Sequence, residues 1–348
     1  MSFPKLSFEE ILLEKVVLEE NCIGCGACVL VCPFGCLEYF EQKPKLVKKC
    51  EVCGICPRVC PRYEWSLSDL EKLVFGRERK PNEDFGIYQR LVFAQTTDKD
   101  IMPRCQDGGV VTTLISFALK NGIIDGAFLS GLSMDKPFYP VPVLATTPKE
   151  VLNCAGTRYT YSPNLLAIQE AFKQKRQSLV FVGTPCQIQA IRKMEATKLR
   201  RYIGRIKFAI GLMCTESFTY EGLMEKQIQQ ILGINLSDVK KINIKGKIIV
   251  TTNSGDVKTI SLVEAKRYTR KSCLPCTDFS AELADISTGG LGLAGWTLTI
   301  VRTETGRELF ENAEKAGLIK TRPVEEKENA LKLLVRLSTK KRKVTGSS

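Results

Sequence analysis

The chain has 348 residues, with 51 lysines and arginines against 38 acidic residues and a formal net charge of +13. At this length two or more folded units are expected. A content of 44% hydrophobic and 26% charged residues excludes a disordered or collagenous chain. No uncharged stretch reaches the roughly 20 apolar residues of a membrane-spanning helix, and the acidic start lacks the order of a signal peptide. We therefore expect a protein that is made and kept in the cytoplasm.

Fifteen cysteines and no histidine restrict the chemistry. Without histidine, the chain lacks the commonest general base and the Ser-His and Cys-His nucleophile pairs. An odd number of cysteines in a chain without an export signal argues against a disulfide framework. Metal ligation by thiolates is the better interpretation, and the chemistry is expected to come from a cofactor.

The strongest signal is a doubled motif, Cys-x-x-Cys-x-x-Cys-x-x-x-Cys-Pro, which begins at Cys22 and again at Cys50. It matches bacterial ferredoxins, in which each 4Fe-4S cluster takes three cysteines from one repeat and the fourth from the other. The alternative, a pair of structural zinc sites, fits the doubled pattern less well. The predicted ligands of one cluster are Cys22, Cys25, Cys28 and Cys60, and those of the other are Cys50, Cys53, Cys56 and Cys32.

Four later cysteines form a second candidate set. Cys186 and Cys214 each follow an apolar run that is typical of a buried parallel strand, and the ends of such strands are where α/β sheets place ligands. Cys273 and Cys276 form a Cys-x-x-Cys pair. From spacing alone, a third cluster is no better supported than inert packing, or than a redox-active dithiol at the last pair. No role is predicted for Cys36, Cys105 and Cys154.

Strand-like and helical patterns alternate beyond the first cysteine repeats, which predicts the α/β class with a mostly parallel core. Val239–Leu262 alternates apolar and polar residues and predicts a β-hairpin insertion. A last helix leads to the basic run Lys340–Lys343, interpreted as a solvated tail, and Thr345–Ser348 resembles an expression-vector remnant. The predicted units are a bacterial-type 2x(4Fe-4S) ferredoxin domain, a linker and a larger α/β domain, at residues 1–65, 66–85 and 86–348.

A series of short motifs follows in the larger domain. They are Gln106–Val110, Gly156–Tyr159, Ser162–Asn164, Gly183–Gln187, Cys214–Phe218, Cys273–Phe279 and Ala284–Ser287. In this order they resemble the family of coenzyme F420 hydrogenase/dehydrogenase beta subunits, from about Gly86 to Arg307. With the ferredoxin repeat in front, the chain looks like the electron-input subunit of the dehydrogenases of reduced coenzyme F420, archaeal relatives of respiratory complex I that reduce a membrane quinone or methanophenazine.

The resemblance implies a flavin-binding larger domain that holds FAD, takes coenzyme F420 as substrate, and carries a third 4Fe-4S cluster at the second cysteine set. Adjacent glycines before the helix near Gly109 suit close approach of a pyrophosphate. The candidate cofactor contacts are Gln106, Asp107, Gly108, Gly109, Val110, Thr112, Thr157, Arg158, Tyr159, Ser162 and Asn164. The candidate substrate contacts are Thr184, Pro185, Arg267, Arg270 and Lys271. The last three, proposed for the acidic tail of the coenzyme, fit a solvated loop equally well, and no hydride-facing residue is predicted.

The expected function is oxidation of reduced coenzyme F420 by hydride transfer to FAD, followed by one-electron transfer through three clusters to a complex I-like membrane dehydrogenase. The expected location is the inner face of the cell membrane, through partner subunits. We expect the excess of positive charge to balance the negative charges of the clusters, the flavin and an acidic coenzyme, rather than to bind nucleic acid. The alternatives are a soluble ferredoxin:F420 oxidoreductase and a non-catalytic ferredoxin-type electron carrier.

Overall fold

The computed structural model describes residues 6–343. Its N-terminal unit is small and rich in cysteine. Each cysteine repeat contains one short helix, and the residue before each helix, Gly26 or Gly54, has a positive φ of 79° or 69°. Glycine adopts this conformation at little cost, so the backbone can turn tightly between cysteines. The elements of this unit are a π-type helical segment at Phe8–Leu18, α1 (Ala27–Val31), the antiparallel pair β1 (Leu37–Phe40) and β2 (Lys43–Leu46), and α2 (Ile55–Val59).

The segment predicted as a linker, 66–85, is folded. It begins with α3 (Leu67–Phe75), whose first turn is capped by the hydroxyl of Ser66. Arg79 then pairs with Glu71 of α3 and, at 2.5 Å, with Glu282 of the larger domain, and both carboxylates are buried. The segment is therefore fixed to the larger domain by buried charge.

The larger domain is built on one eight-stranded sheet. Its strands are β3 (Arg90–Thr96), β4 (Gly126–Leu132), β5 (Pro140–Ala145), β6 (Leu179–Gly183), β7 (Ile206–Leu212), β11 (Ile286–Gly289), β12 (Thr297–Val301) and β13 (Ile319–Pro323). Their order across the sheet is β13-β3-β12-β11-β7-β6-β4-β5. The four strands β11, β7, β6 and β4 are parallel neighbours, whereas the outer strands pair antiparallel. The predicted α/β class is confirmed, and the sheet as a whole is mixed.

Helices cover both faces of this sheet. They are α4 (Val110–Lys120), α5 (Pro148–Asn153), α6 (Ile168–Lys173), α7 (Pro185–Ala196), α8 (Arg200–Ile203), α10 (Glu304–Lys315) and α11 (Glu328–Arg342), whereas α9 (Leu262–Lys266) packs on the smaller sheet described below. Further helical segments are Asn164–Ala167, Glu221–Ile231, Leu236–Asp238, Lys271–Cys273 and Val324–Lys327. On one face, α4 and α10 bury Leu114 and Phe310 against Val180 and Ile210. On the other face, α7 packs against both the sheet and the N-terminal unit, so the two units share one apolar core.

The segment expected to form a hairpin insertion has three antiparallel strands, one more than a hairpin. The strands are β8 (Val239–Ile244), β9 (Lys247–Thr252) and β10 (Val257–Ser261), with β9 in the middle. They pack on the helical segment Glu221–Ile231 around a separate apolar core that includes Phe218 and Leu223. This small sheet is a second platform beside the main one.

The interpretation of Lys340–Lys343 as a solvated tail fits Lys340 and Lys343, which are exposed, but is wrong for Lys341 and Arg342, which are partly buried. Helix α11 continues to Arg342, which pairs with buried Glu282 at 2.7 Å. Ala330, Leu334 and Ser338 form its buried face. Val344 to Ser348, with the suggested vector remnant, lie outside the described residues. Among residues 6–343, none of the helices combines the length and the apolar character that crossing a bilayer requires.

Candidate functional site

A cavity of about 430 Å³ lies at the carboxyl ends of the parallel strands of the main sheet. Gly183 of β6 is opposite Gly211 of β7, so these two neighbouring strands end at the same edge. Val182, Gly183 and Leu212 line the cavity. Its position and size are those of a ligand site in an α/β protein.

Ten of the eleven predicted cofactor contacts line this cavity, and Gly108 is the exception. Gly108 does not line it: its N–H donates to Thr297 Oγ1 at 2.9 Å, and an added Cβ would lie 2.3 Å from the carbonyl oxygen of Ala94. Gly108 is therefore required for close packing of the chain against β3 and β12. The predicted contacts that line the cavity are Gln106, Asp107, Gly109, Val110, Thr112, Thr157, Arg158, Tyr159, Ser162 and Asn164.

Arg158 makes the cavity suitable for an anion. Its Nη1 donates to the carbonyl of Ala155 at 3.1 Å, whereas its Nε is buried without a hydrogen-bond partner. Burial lowers the pKa of Arg158. The N-terminus of α4, which begins after Gly109 with φ of 70°, also lines the cavity and contributes main-chain N–H groups. An orphaned guanidinium N–H and a helix N-terminus fit the pyrophosphate of a dinucleotide such as FAD.

Ser162 and Asn164 shape the wall of the cavity. Ser162 Oγ donates to Asn164 Oδ1 at 2.6 Å, and Asn164 Nδ2 donates to the carbonyl of Val182 at 2.9 Å. Gln187 Nε2 donates to the carbonyl of Ser162 at 2.6 Å. These polar groups are engaged within the protein, and they fasten the loop before Asn164 to the end of β6.

The small sheet supplies cavity residues that the sequence analysis missed. Asn243 and Lys245 line the cavity from the end of β8. Gln106 Nε2 donates to Asn243 Oδ1, and Lys241 Nζ donates to the carbonyl of Gln106 at 3.1 Å. Burial raises the pKa of Asp107, and Lys245 and Lys241 oppose that rise. The alternating pattern predicted strands here, but it carried no signal of which element they would face.

The cysteines Cys32, Cys50, Cys53 and Cys56, here called the distal group, face one another in the N-terminal unit. Burial raises the pKa of Cys56 to about 12, and the neighbouring thiolates of Cys53, Cys50 and Cys32 add to the rise. All four line one small cavity, together with Cys36. The structure thus brings Cys32 of the first repeat to three cysteines of the second.

The cysteines Cys22, Cys25, Cys28 and Cys60, here called the proximal group, form the reciprocal set. Burial raises the pKa of Cys28 well above its usual range, and Cys25, Cys22 and Cys60 raise it further. Burial also raises the pKa of Cys25, and after Cys60 and Cys22 the contributing thiolates include Cys186 of the larger domain. The proximal group therefore lies beside the second cysteine set.

The four later cysteines, Cys186, Cys214, Cys273 and Cys276, here called the large-domain group, line a single cavity. Burial raises the pKa of Cys214 well above its usual range, and the other three thiolates contribute after Lys341, which opposes the rise. No three histidine, cysteine or acidic side chains of residues 6–343 are arranged to hold a single metal ion. The thiols surround a cavity instead, which is the arrangement that a multi-atom 4Fe-4S cluster needs.

Two cations that the sequence analysis missed line the same cavity, Lys341 and Arg62. Burial lowers the pKa of Lys341, but the four thiolates of the large-domain group outweigh it and raise the pKa. Leu334, Ser338 and Lys341 follow the spacing of one helix face, and the first two are fully buried. Extending the helical pattern beyond Leu337 was the signal that could have found Lys341.

The two cavities of the larger domain share a wall. Tyr161, Thr184, Cys214 and Ser217 line both of them. Thr184 Oγ1 lies 3.3 Å from Cys186 Sγ. Of the two candidate substrate contacts in this turn, Thr184 reaches both cavities, and Pro185 lines the cysteine cavity.

The basic candidates for the coenzyme tail do not line the 430 Å³ cavity. Arg270 faces the cysteine cavity, where its guanidinium lies 4.2 Å from the ring centre of Tyr161. Lys271 forms an exposed ion pair with Glu20 of the N-terminal unit at 2.5 Å. Arg267 is exposed at the end of α9. A charge run in the sequence does not reveal the face on which each side chain lies.

Comparison with known proteins covers most of the larger domain. The families described as coenzyme F420 hydrogenase/dehydrogenase, beta subunit N-term and C terminus, match residues 91–169 and 176–327. A coenzyme F420 hydrogenase subunit beta from Methanothermobacter thermautotrophicus is 40% identical over 263 residues, which are 74% of this chain and 92% of that protein. The chain belongs to the family of coenzyme F420 hydrogenase/dehydrogenase beta subunits.

A solved structure shares the fold of most of this chain. A chain of the F420-reducing [NiFe] hydrogenase complex from Methanosarcina barkeri superposes with a TM-score of 0.73 and 36% identity, covering 77% of this chain and 93% of that chain. A 4Fe-4S binding domain matches residues 15–38 of the N-terminal unit. A subunit of the F(420)H(2) dehydrogenase from Methanosarcina mazei is 29% identical over 305 residues, which are 86% of this chain and 84% of that protein. The resemblance to these beta subunits is confirmed.

Proposed function

We propose that this beta-subunit-like chain oxidises reduced coenzyme F420 in the 430 Å³ cavity and delivers single electrons to a membrane-bound, complex I-like dehydrogenase. The relatives named above are F420-dependent oxidoreductase subunits. The observation that carries the proposal is the shared wall of Tyr161, Thr184, Cys214 and Ser217, which makes the dinucleotide-sized cavity adjacent to a cysteine cavity.

The residues present fit FAD. Arg158 and the N-terminus of α4 would hold the pyrophosphate, because they offer N–H donors and positive charge on the cavity wall. Leu129 and Val182 add an apolar lining that helps to exclude water. When bound, a flavin supplies the change between two-electron hydride chemistry and one-electron transfer. The role of this chain is then to orient two ring systems, which requires no histidine base.

The three cysteine groups would each hold one 4Fe-4S cluster. Their neighbours define a spatial series: the large-domain group borders the cavity, Cys186 lies beside Cys25 of the proximal group, and Cys28 lies beside Cys56 of the distal group. Three cluster sites in a row, leading from the cavity to the distal group, favour a role in electron transfer over a role in electron storage. The distal group would then face the partner.

The partner is proposed from one of the relatives that match more of this chain than the larger domain alone. The F(420)H(2) dehydrogenase subunit of Methanosarcina mazei matches 86% of this chain, including residues outside the larger domain. We therefore propose peripheral attachment to the inner face of the membrane through other subunits, with no nucleic acid partner.

The test uses the anaerobically purified full-length chain. We expect it to contain FAD and about 12 iron atoms, as three cubanes require, and to reduce a viologen dye with reduced coenzyme F420. Removal of the flavin should abolish this reaction, and re-addition of FAD should restore it. Activity that survives flavin removal, or a chain that binds iron but neither FAD nor the coenzyme, would refute the proposal and favour the electron-carrier alternative. Acceleration by free ferredoxin, without response to membrane dehydrogenase subunits, would favour the soluble oxidoreductase.

A further inference from the structure

Lys193 of the larger domain reaches into the N-terminal unit. It lies on α7, the same helix that carries Cys186 in its first turn, and it is only 6% exposed. Its Nζ donates to the main-chain carbonyl of Cys60 at 2.7 Å, to that of Glu64 at 3.0 Å and to that of Tyr63. Three acceptors around one nitrogen match the three hydrogens of an ammonium group, whereas a neutral amine has only two to donate.

Two arginines cross the same junction in opposite directions. Arg62 of the N-terminal unit donates from Nη2 to the carbonyl of Ser272 at 3.0 Å. Arg270 of the larger domain donates from Nη1 to the carbonyl of Ile23 at 3.0 Å, while its guanidinium stacks on Tyr161. Ser272 and Ile23 are each the immediate neighbour in sequence of a cysteine in the large-domain or proximal group.

The three contacts share one chemical property. Each cation is bonded to a main-chain carbonyl at or next to a cysteine of the other unit, and a carbonyl has no formal charge to cancel the cation. Around the junction, the apolar core is continuous from Leu30 and Val59 of the N-terminal unit to Ile188 and Ile191 of α7. Positive charge in such a surrounding acts more strongly than at the protein surface.

We propose that Lys193, Arg62 and Arg270 form a cationic clamp that holds the large-domain group against the proximal group and stabilises the reduced state of the clusters at both. This inference rests on the proposed function for the occupancy of those groups. Reduction of a cluster adds one electron and therefore one negative charge, and nearby cations lower the free energy of the reduced cluster. The distal group lies beyond the proximal group, and it serves as an internal reference.

The clamp is a property of the fused chain. The coenzyme F420 hydrogenase subunit beta that aligns over 92% of its length matches only 74% of this chain, and the two beta-subunit family matches begin at residue 91, after Arg62. A cation on each side of the junction is therefore a feature of the N-terminal unit and the larger domain together.

The test is a redox titration of the full-length holoprotein, followed by electron paramagnetic resonance, with signals assigned through Cys→Ser variants of each group. In Lys193→Met and Arg62→Gln, we expect the reduced-to-oxidised ratio of the large-domain and proximal clusters to fall about tenfold at fixed poise, which is about 59 mV for a one-electron couple. The distal cluster should keep its potential. In Lys193→Arg, the potentials should stay close to those of the unsubstituted chain, because arginine keeps the positive charge.

The matched control is Lys332→Met, which removes an exposed lysine that pairs with Glu328 at 2.8 Å; it should shift none of the three potentials. Unchanged potentials in both clamp variants overturn the proposal, and so does an equal shift of all three clusters. Selective iron loss from the large-domain and proximal groups supports the clamp through its holding role. Oxidation of reduced coenzyme F420 and the iron content of the unsubstituted chain, measured on the same preparation, test the proposed function independently of the clamp.

Discussion

The N-terminal unit and the larger domain both collect four-cysteine groups, but they do so in different ways. In the N-terminal unit, two local repeats provide every cysteine of the proximal and distal groups, and short helices after Gly26 and Gly54 set their spacing. In the larger domain, Cys186 and Cys214 come from the ends of two strands, and the remaining pair comes from a distant loop. A site of the first kind can be read from spacing, whereas a site of the second kind exists only once the sheet has formed.

The strongest test of this comparison removes one cysteine from each region. Cys276→Ser and Cys56→Ser should each lose about four iron atoms per chain, one cubane. Only Cys276→Ser should also stop electrons from leaving the cavity, because the large-domain group borders it. Iron analysis and viologen reduction by reduced coenzyme F420 provide the two measurements.

Cys36→Ser is the control for this test. Cys36 is buried beside the distal group, and its Sγ donates to the carbonyl of Lys49 at 3.3 Å, a bond that a serine can keep. It should retain full iron. If Cys276→Ser keeps all of its iron, the large-domain group is not a cluster site.

A second test separates the regions by stability. Glu282 is 3% exposed and pairs with both Arg79 and Arg342, so it joins the folded segment 66–85 to the end of α11. Glu282→Gln should lower the free energy of unfolding by about 3 kcal/mol, because two partly buried guanidinium groups lose the charge of the buried carboxylate that they share, although Arg79 keeps its pair with Glu71. Thermal and denaturant unfolding of the holoprotein would measure it.

Glu328→Gln breaks an exposed pair with Lys332 on the same helix and should change stability by about 0–1 kcal/mol. Equal effects of the two substitutions would show that the buried network does not stabilise the larger domain.

A third test addresses the charge beside the large-domain group. Lys341→Met removes a cation that lines its cavity, so the cluster there should become harder to reduce by about 1–2 kcal/mol, the scale of one charge acting through the protein interior. The distal cluster should not respond. Redox titration distinguishes the two, with Lys332→Met as the matched substitution on α11. A shift of the distal cluster of the same size would contradict the structure.

The smallest expected effect comes from a comparison of two lysines of the larger domain, Lys245 and Lys271. Lys245 lines the 430 Å³ cavity, whereas Lys271 pairs with Glu20 away from it. Lys245→Met should raise the KM for reduced coenzyme F420 about fivefold, close to 1 kcal/mol, because an acidic substrate loses a cation. Lys271→Met should leave KM unchanged. Steady-state kinetics on both variants would decide between the sequence expectation for Lys271 and the structural one for Lys245.

The sequence predicted the α/β class, the interleaved grouping of the ferredoxin cysteines and ten of the residues that line the cavity, Gly108 being the exception. The differences between the predicted and the observed positions have a common cause. Gly108 and Lys341 lie in local patterns that are correct as patterns, a glycine turn and a basic helix end, but their roles depend on what packs against them. The predicted contact of Arg270 with the coenzyme tail stays a prediction, and its hydrogen bond to the carbonyl of Ile23, far away in the chain, could not be foreseen from the sequence.

The sequence alone determined the features that depend on residues close together in the chain. These are the cysteine spacing, the glycines that allow tight turns, and the alternation of strands and helices. The tertiary structure decided which distant segments share a surface, including the wall of Tyr161, Thr184, Cys214 and Ser217 and the junction at Lys193. The physical reason is that local conformational preferences act over a few residues, whereas burial of charge and apolar surface depends on contacts that form only when the whole chain packs.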